Sequence, residues 1–216
     1  MIDLLIVDDE PLIRSGLVGA LSQFPYLRVV GEADNGDTGI DAVRHHAPDV
    51  VLMDVRMPGR DGLSATEELA ADSGFTGAVL VLTTFDSDDY VYRAMHVGAR
   101  GFLLKRWPIL KIAEAISIAA TGDSVVFPDS LARVVAEHGA PPRRSTGEIE
   151  HVLTPREQVV LTQIAAGKSN SEVAEALHVT VETVKSQVSS VLLKLGARDR
   201  TQAVIRAFET GFVDPR

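Results

Sequence analysis

Asp49-Val50-Val51-Leu52-Met53-Asp54, running on into Val55-Arg56-Met57-Pro58-Gly59-Arg60-Asp61-Gly62, is the stretch on which the fold turns. Its apolar residues follow one another without alternation and stop at a carboxylate. A short apolar run bounded by turn residues reads as a strand covered on both faces. The same pattern recurs outward in both directions. Leu4-Leu5-Ile6-Val7 ends in Asp8-Asp9-Glu10, Ala78-Val79-Leu80-Val81-Leu82 ends in Thr83, and Gly101-Phe102-Leu103-Leu104 ends in Lys105. In a parallel sheet such ends converge on one crevice, where open α/β folds bind ligands.

Strands are expected over residues 4–8, 29–33, 50–54, 79–83 and 101–105. Helices are expected between and after them, over 11–24, 36–47, 62–73, 88–97 and 108–121. Strands alternating with helices of this length imply βαβ units. The predicted fold of residues 1–121 is therefore α/β: a doubly wound, five-stranded parallel sheet with helices on both faces. Residues 122–149 read as a linker. Gly122-Asp123-Ser124 breaks the fifth helix, a short helical piece is expected over 130–138, and Gly139-Ala140-Pro141-Pro142 opens a run of breakers and polar residues.

Residues 150–216 are predicted as a small all-α domain. Thr154-Pro155-Arg156-Glu157 has an N-cap, a proline at the first helical position and a capping-box acid. That helix should end near Gly167. Ser169 to Leu177 forms a second, with Glu172 completing another box, and His178-Val179 a tight turn. Residues 180–195 form a third helix stopped by Gly196, and 200–210 a fourth stopped by Gly211. A short helix, a turn and a longer helix make a helix-turn-helix.

Charge divides the chain in the same place. Residues 1–122 hold 18 acids and 10 bases, 123–149 hold four and three, and 150–216 hold eight and eight, within a total of −9. An acidic front and a neutral back indicate two units with different partners. The front is a poor nucleic-acid binder, and the back has little long-range attraction for DNA. The chain has no cysteine, so disulfides and thiolate metal sites are excluded. No basic leader and no apolar stretch of spanning length is present, so a cytoplasmic protein without membrane contact is expected.

Three clustered carboxylates repel one another unless a cation joins them, and Mg2+ is the natural occupant. Asp8, Asp9 and Asp54 would hold it, with the backbone carbonyl of Arg56 as a further ligand. Such a constellation suits taking a phosphoryl group onto Asp54, with Lys105 and Thr83 contacting the phosphoryl oxygens. A magnesium-dependent phosphohydrolase with Asp54 as nucleophile needs an acid at position 56 and a substrate cap. Position 56 is Arg, and no cap insertion exists. A regulator of the same fold that ignores phosphorylation is a further alternative, against which the intact acidic set argues.

Val7-Asp8-Asp9-Glu10-Pro11, Asp54-Val55-Arg56-Met57-Pro58 with Gly62, Leu82-Thr83-Thr84 and Gly101-Phe102-Leu103-Leu104-Lys105 resemble the receiver domain of two-component response regulators over residues 2–121. The resemblance implies a flavodoxin-like fold, phosphorylation of Asp54 by a sensor histidine kinase, and magnesium on Asp8 and Asp9. It further implies a two-position switch made by Thr83 and Phe102, and no enzymatic role beyond transfer to itself and slow self-dephosphorylation. Arg106-Trp107-Pro108 departs from the acid or proline that commonly follows the lysine. Trp107 either packs beside the fifth helix or joins Arg106 in a domain or dimer contact.

Leu153-Thr154-Pro155-Arg156-Glu157, Ile164-Ala165-Ala166-Gly167, Ser169-Asn170-Ser171-Glu172-Val173-Ala174, Thr183-Val184-Lys185, Lys194-Leu195-Gly196, Arg200 and Ala203-Val204 resemble the LuxR-type helix-turn-helix domain. With the receiver, this is the NarL/FixJ class. The resemblance implies a transcription regulator that binds promoter DNA, forms a homodimer when phosphorylated, and leaves contact with RNA polymerase open. Within 180–195, Val184, Val188, Val191 and Leu195 should face the core. Thr183, Lys185, Ser186, Gln187, Ser189 and Ser190 should lie on the other face. Thr183, Lys185, Ser186 and Ser189 are the expected DNA contacts. Gln187 stands where relatives commonly have His, and Ser189 where they are often basic, so non-specific affinity should be weak. The last helix, with Ala203, Val204, Ala207 and Phe208 exposed or half-buried, resembles the dimer-forming helix of this family, which implies a dimer contact there.

Overall fold

The computed structural model describes residues 1–84, 88–121 and 148–213; the helical piece expected over 130–138 and most of the linker lie outside them. The described residues fall into two compact units, one ending at residue 121 and one beginning at 148.

The first unit alternates β1 (Ile2–Val7), α1 (Pro11–Leu21), β2 (Leu27–Ala33), α2 (Gly36–His46), β3 (Val50–Asp54), α3 (Gly62–Ala71), β4 (Ala78–Thr83), α4 (Asp88–His96), β5 (Gly101–Leu104) and α5 (Ile109–Ala120). All neighbouring strands are parallel, in the order β2-β1-β3-β4-β5. Every residue of β3, β4 and β5 is buried, as an apolar run without alternation requires when helices cover both faces. β2 is an edge strand and is largely half-exposed. It starts two residues earlier than expected, because Leu27 and Arg28 pair with Ile2 and Asp3, and its register shifts between Leu4 and Leu5. Arg28 also grips the Asp3 carboxylate with Nε and Nη2, at 2.7 and 2.5 Å.

The strand order reverses between β1 and β3, where successive connections leave in opposite directions. That is the topological switch point, and it sets the carboxyl ends of β1 and β3 side by side. The turn after β3 is fixed by a close approach. Gly62 N–H donates to Val55 O at 3.0 Å, and a Cβ at Gly62 would lie 1.8 Å from the Asp54 carbonyl oxygen. Only glycine fits there. The Asp61 carboxylate then caps α3 by accepting from Ser64 N–H at 2.7 Å.

The second unit comprises α6 (Glu148–Val152), α7 (Pro155–Ala165), α8 (Asn170–Leu177), α9 (Val181–Leu195) and α10 (Arg200–Glu209). α6 was not foreseen. It begins in residues assigned to the linker, and it forms because Ile149 and Leu153 are buried. Both capping boxes close, Thr154 with Glu157 and Ser169 with Glu172. The turn between α8 and α9 is made by His178, held in the left-handed region at φ 53°. Gly196, at φ 62°, ends α9, and Asp199 caps α10. No helix among the described residues is long and apolar enough to cross a membrane.

Candidate functional site

At the switch point Asp8, Asp9 and Asp54 bring carboxylate oxygens within 4.8 Å of one another. Lys105, just past the end of β5, reaches into the cluster. Its Nζ lies 2.7 Å from Asp8 Oδ2, 3.3 Å from Asp54 Oδ1 and 3.9 Å from Glu10 Oε1. Its side chain is 8% exposed, against 1% for Asp8 and 6% for Asp54. The backbone helps to aim it: Lys105 N–H donates to Thr83 O at 2.8 Å.

One ammonium among three carboxylates leaves an excess of negative charge. Burial pushes the Asp54 carboxyl up to about 6; Lys105 counteracts part of that rise and the Asp8 charge adds to it. Burial acts downward on Lys105, but the hydrogen bond to Asp8 and the charges of Asp54 and Asp8 outweigh it and raise its pKa. Asp8 Oδ2 is enclosed and is met by Lys105 Nζ at 2.7 Å. All-oxygen donors and surplus negative charge fit a hard divalent cation.

Beside the cluster opens a cleft of about 400 Å³, lined by Asp9, Arg56, Met57, Asp61, Tyr90 and Arg93 among others. Arg56, two residues beyond Asp54, lines this cleft and its side chain is exposed. Thr83 is buried at the end of β4 opposite Leu104, and Phe102 is buried in β5 opposite Val81. Trp107 packs beside α5: Lys111 Nζ sits 3.9 Å from the centre of its ring.

The helical unit presents α9. Val184, Val188, Val191 and Leu195 are buried, as their spacing requires. Lys185, Ser186 and Ser189 are exposed, and Thr183 is half-buried with its Oγ1 2.8 Å from Thr180 Oγ1. Lys185 Nζ lies 3.9 Å from Glu182. Ser189 Oγ donates to Lys185 O at 3.0 Å.

Two expectations need correcting. Ser190 does not belong to the outer face, because its Oγ donates to Glu157 Oε1 at 2.6 Å. Ala203, Val204, Ala207 and Phe208 are neither exposed nor half-buried. They are between 0 and 4% exposed and form the inner face of α10, because the helix is one wall of a small unit that needs them for its core.

The sequence also conceals a hub. Glu157 was assigned only to a capping box, in which it accepts from Thr154 N–H at 2.7 Å. It also receives Lys194 Nζ at 2.7 and 2.8 Å, together with Ser190. The Lys194 and Ser190 hydrogen bonds lower its pKa to about 2 against the opposing effect of burial. Arg200, buried, bonds Asn170 Oδ1 at 3.1 Å and the Lys168 carbonyl, tying α10 to the start of α8. A capping-box pattern gives no sign of partners 33 and 37 residues away.

Comparisons with known proteins agree in both halves. Residues 4–117 match the response regulator receiver domain family, and residues 151–207 match the luxR family of bacterial regulatory proteins. The chain is 38% identical over 212 residues to the response regulator protein VraR of Staphylococcus aureus, covering 98% of this chain and 99% of VraR. Among solved structures, it resembles response regulator ChrA of a heme-sensing two-component system. That match has 31% identity, a TM-score of 0.53 and 98% of each chain covered. The receiver domain of the putative response regulator NarL from Mycobacterium tuberculosis matches at 38% identity and a TM-score of 0.54, over 56% of this chain and 97% of that one.

Proposed function

As the chain belongs to the two-component response regulators that join a receiver to a LuxR-type DNA-binding domain, we propose that phosphorylation of Asp54 switches its binding to promoter DNA. The observation that carries this reading is the cluster of Asp8, Asp9 and Asp54 around the Lys105 ammonium.

A carboxylate of Asp54 attacks phosphorus as the bond to the donor's leaving group breaks. With a sensor histidine kinase as donor, the bond lost is phosphorus to imidazole nitrogen, and the ring, protonated on its other nitrogen, leaves as neutral imidazole. Asp54 ends β3 at the carboxyl edge of the sheet, the side from which a donor would approach. Asp8, Asp9, Asp54 and the Arg56 carbonyl would hold Mg2+, which when bound neutralises charge on the transferring phosphoryl oxygens. Lys105, anchored on β5, offers a fixed cation to one of those oxygens. Thr83, at the end of β4, offers a hydroxyl to another and so draws the end of β4 inward. Phe102, one strand away, is the aromatic partner of that movement.

In the helical unit Lys185, Ser186 and Ser189 are placed to meet base edges and Thr183 a phosphate. With one cation among these four residues, useful affinity needs two copies on paired half-sites, so phosphorylation promotes a homodimer. The buried inner face of α10 is not its contact surface. A cytoplasmic location, a separate kinase and contact with RNA polymerase complete the reading.

Incubation of the full chain with magnesium and acetyl phosphate tests it. Intact mass should show one added phosphoryl group, and light scattering a dimer. Asp54→Asn should show neither while keeping the wild-type melting profile. Phosphate on Asp54→Asn at the wild-type rate would remove Asp54 from its role.

A further inference from the structure

We propose that Arg14 is a positioning residue that sets the preference of the acidic pocket for a small divalent cation. The inference rests on reading Asp8, Asp9 and Asp54 as a magnesium site.

Arg14 projects from α1 with its side chain 19% exposed. Its Nη1 donates to the backbone carbonyl of Asp8 at 2.6 Å, and its Nε pairs with Glu32 Oε2 of β2 at 3.3 Å. Asp8 N–H makes the last bond toward β2, donating to Ala33 O at 3.1 Å. The chain then leaves the sheet, and its next carbonyl goes to Arg14. Asp8 Oδ1 accepts from Glu10 N–H at 3.0 Å, and Glu10 O accepts from Arg14 N–H at 3.0 Å. Asp9 therefore sits between two peptide groups held from one residue: the Asp8 carbonyl by the Arg14 guanidinium, and the Glu10 carbonyl by the Arg14 backbone. That bracket holds the backbone from which the Asp9 carboxylate, the cluster's most accessible member, projects.

The action is geometric rather than Coulombic. Glu32 neutralises the guanidinium, so the pair adds little net charge to a pocket that is short of positive charge. Geometry matters unequally for different ions. Mg2+ demands near-ideal octahedral placement at about 2.0–2.1 Å, whereas Ca2+ accepts irregular oxygen sets at about 2.3–2.6 Å. A loosened Asp9 should therefore cost magnesium affinity more than calcium affinity.

Calorimetric titration of the full chain with MgCl2 and with CaCl2 tests this. Arg14→Met keeps the aliphatic stem and removes every guanidinium donor. It should weaken Mg2+ binding by about tenfold, the lower end for a residue that orients a ligand. Ca2+ binding should weaken by less than about threefold. Loss of a bare positive charge would instead strengthen both, and a merely structural role would lower the melting temperature in EDTA without moving the ratio. Either result, or an unchanged Mg2+:Ca2+ ratio, overturns the proposal. If Arg14→Met fails to fold, Arg14→Lys decides. One ammonium cannot serve both the Asp8 carbonyl and Glu32 in the same way, so the ratio should fall part-way; a wild-type ratio overturns the proposal. Wild-type protein that binds neither ion would overturn the magnesium reading itself, and this inference with it.

Discussion

Asp54 and Glu157 are both enclosed carboxylates that meet a lysine, and they are built to opposite ends. Glu157 has donors on both oxygens: Lys194, Ser190 and Thr154. Its carboxyl is held near 2, well below the usual range. Asp54 shares one ammonium with Asp8, has Asp9 beside it, and is pushed up to about 6. A saturated carboxylate is finished chemistry and fixes two helices. An undersupplied one stores a demand for positive charge, which a cation or a change of chemical state can meet. Partner balance, more than burial, separates a structural acid from a reactive one.

The sharpest way to break the contrast is to move Asp54 without touching its side chain. Gly62→Ala places a methyl group 1.8 Å from the Asp54 carbonyl oxygen, against backbone that cannot yield cheaply. The turn must shift and take the end of β3 with it. The receiver unit should lose about 3 kcal/mol or more, and phosphorylation should fail even where the variant folds. Urea unfolding followed by far-ultraviolet circular dichroism measures the first, intact mass the second. Wild-type values in both would mean that the turn is soft and Asp54 is not held by it.

The Glu157 side is tested by acid. Its folded pKa lies below the ordinary 4.5, so its contribution is whole above that value and is lost as pH falls from 4.5 toward about 2. Glu157→Gln removes the charged partner of Lys194 and should cost about 2 kcal/mol at neutral pH, allowing for the partial exposure of Lys194. The gap between wild type and variant should then close across that acid window. Thermal melts at stepped pH show it. A gap that stays constant from neutral pH down to 2 would mean that the hub acts by packing and not by charge.

Legibility followed the range of the interactions. The parallel sheet, the residues at its strand ends and the acidic cluster were readable, because unalternated apolar runs ending in Asp54, Asp8, Thr83 and Lys105 need only local pattern and one topological rule; the order of the strands was not read. The caps at Thr154 and Ser169 were equally local. What escaped depended on contacts far apart in sequence. Ser190 and Lys194 turn toward Glu157, and Arg14 turns back to Asp8 and Glu32. Helical spacing could not place Ser190, which lies between faces. The likeness of the last helix to a dimer-forming helix suggested a contact surface, yet Ala203 and Ala207 are buried where the helices close on them. α6 escaped because it straddles the expected boundary at 149/150 and, at five residues with Ile149 its one buried apolar side chain, is too short to show a period.

The smallest expected effect joins the two halves of the comparison to DNA. The Glu157 hub holds the C-terminal half of α9 through Ser190 and Lys194, while Lys185 stands on its first turns, where this motif enters the major groove. Lys185 is more than half exposed and must leave Glu182, 3.9 Å away, to reach a base. Its net contribution should therefore sit at the low end for a base contact, about 1 kcal/mol. Lys185→Ala should lose that amount on an operator duplex and less on a scrambled one. Contact with phosphate alone would weaken both duplexes about equally and lower the salt slope by about one. Glu157→Gln, which loosens the helix without removing a DNA-facing cation, should weaken binding with the salt slope unchanged. Titrations of both duplexes at two salt concentrations distinguish these outcomes, and wild-type affinity and discrimination in Lys185→Ala would leave that lysine as a solvated side chain.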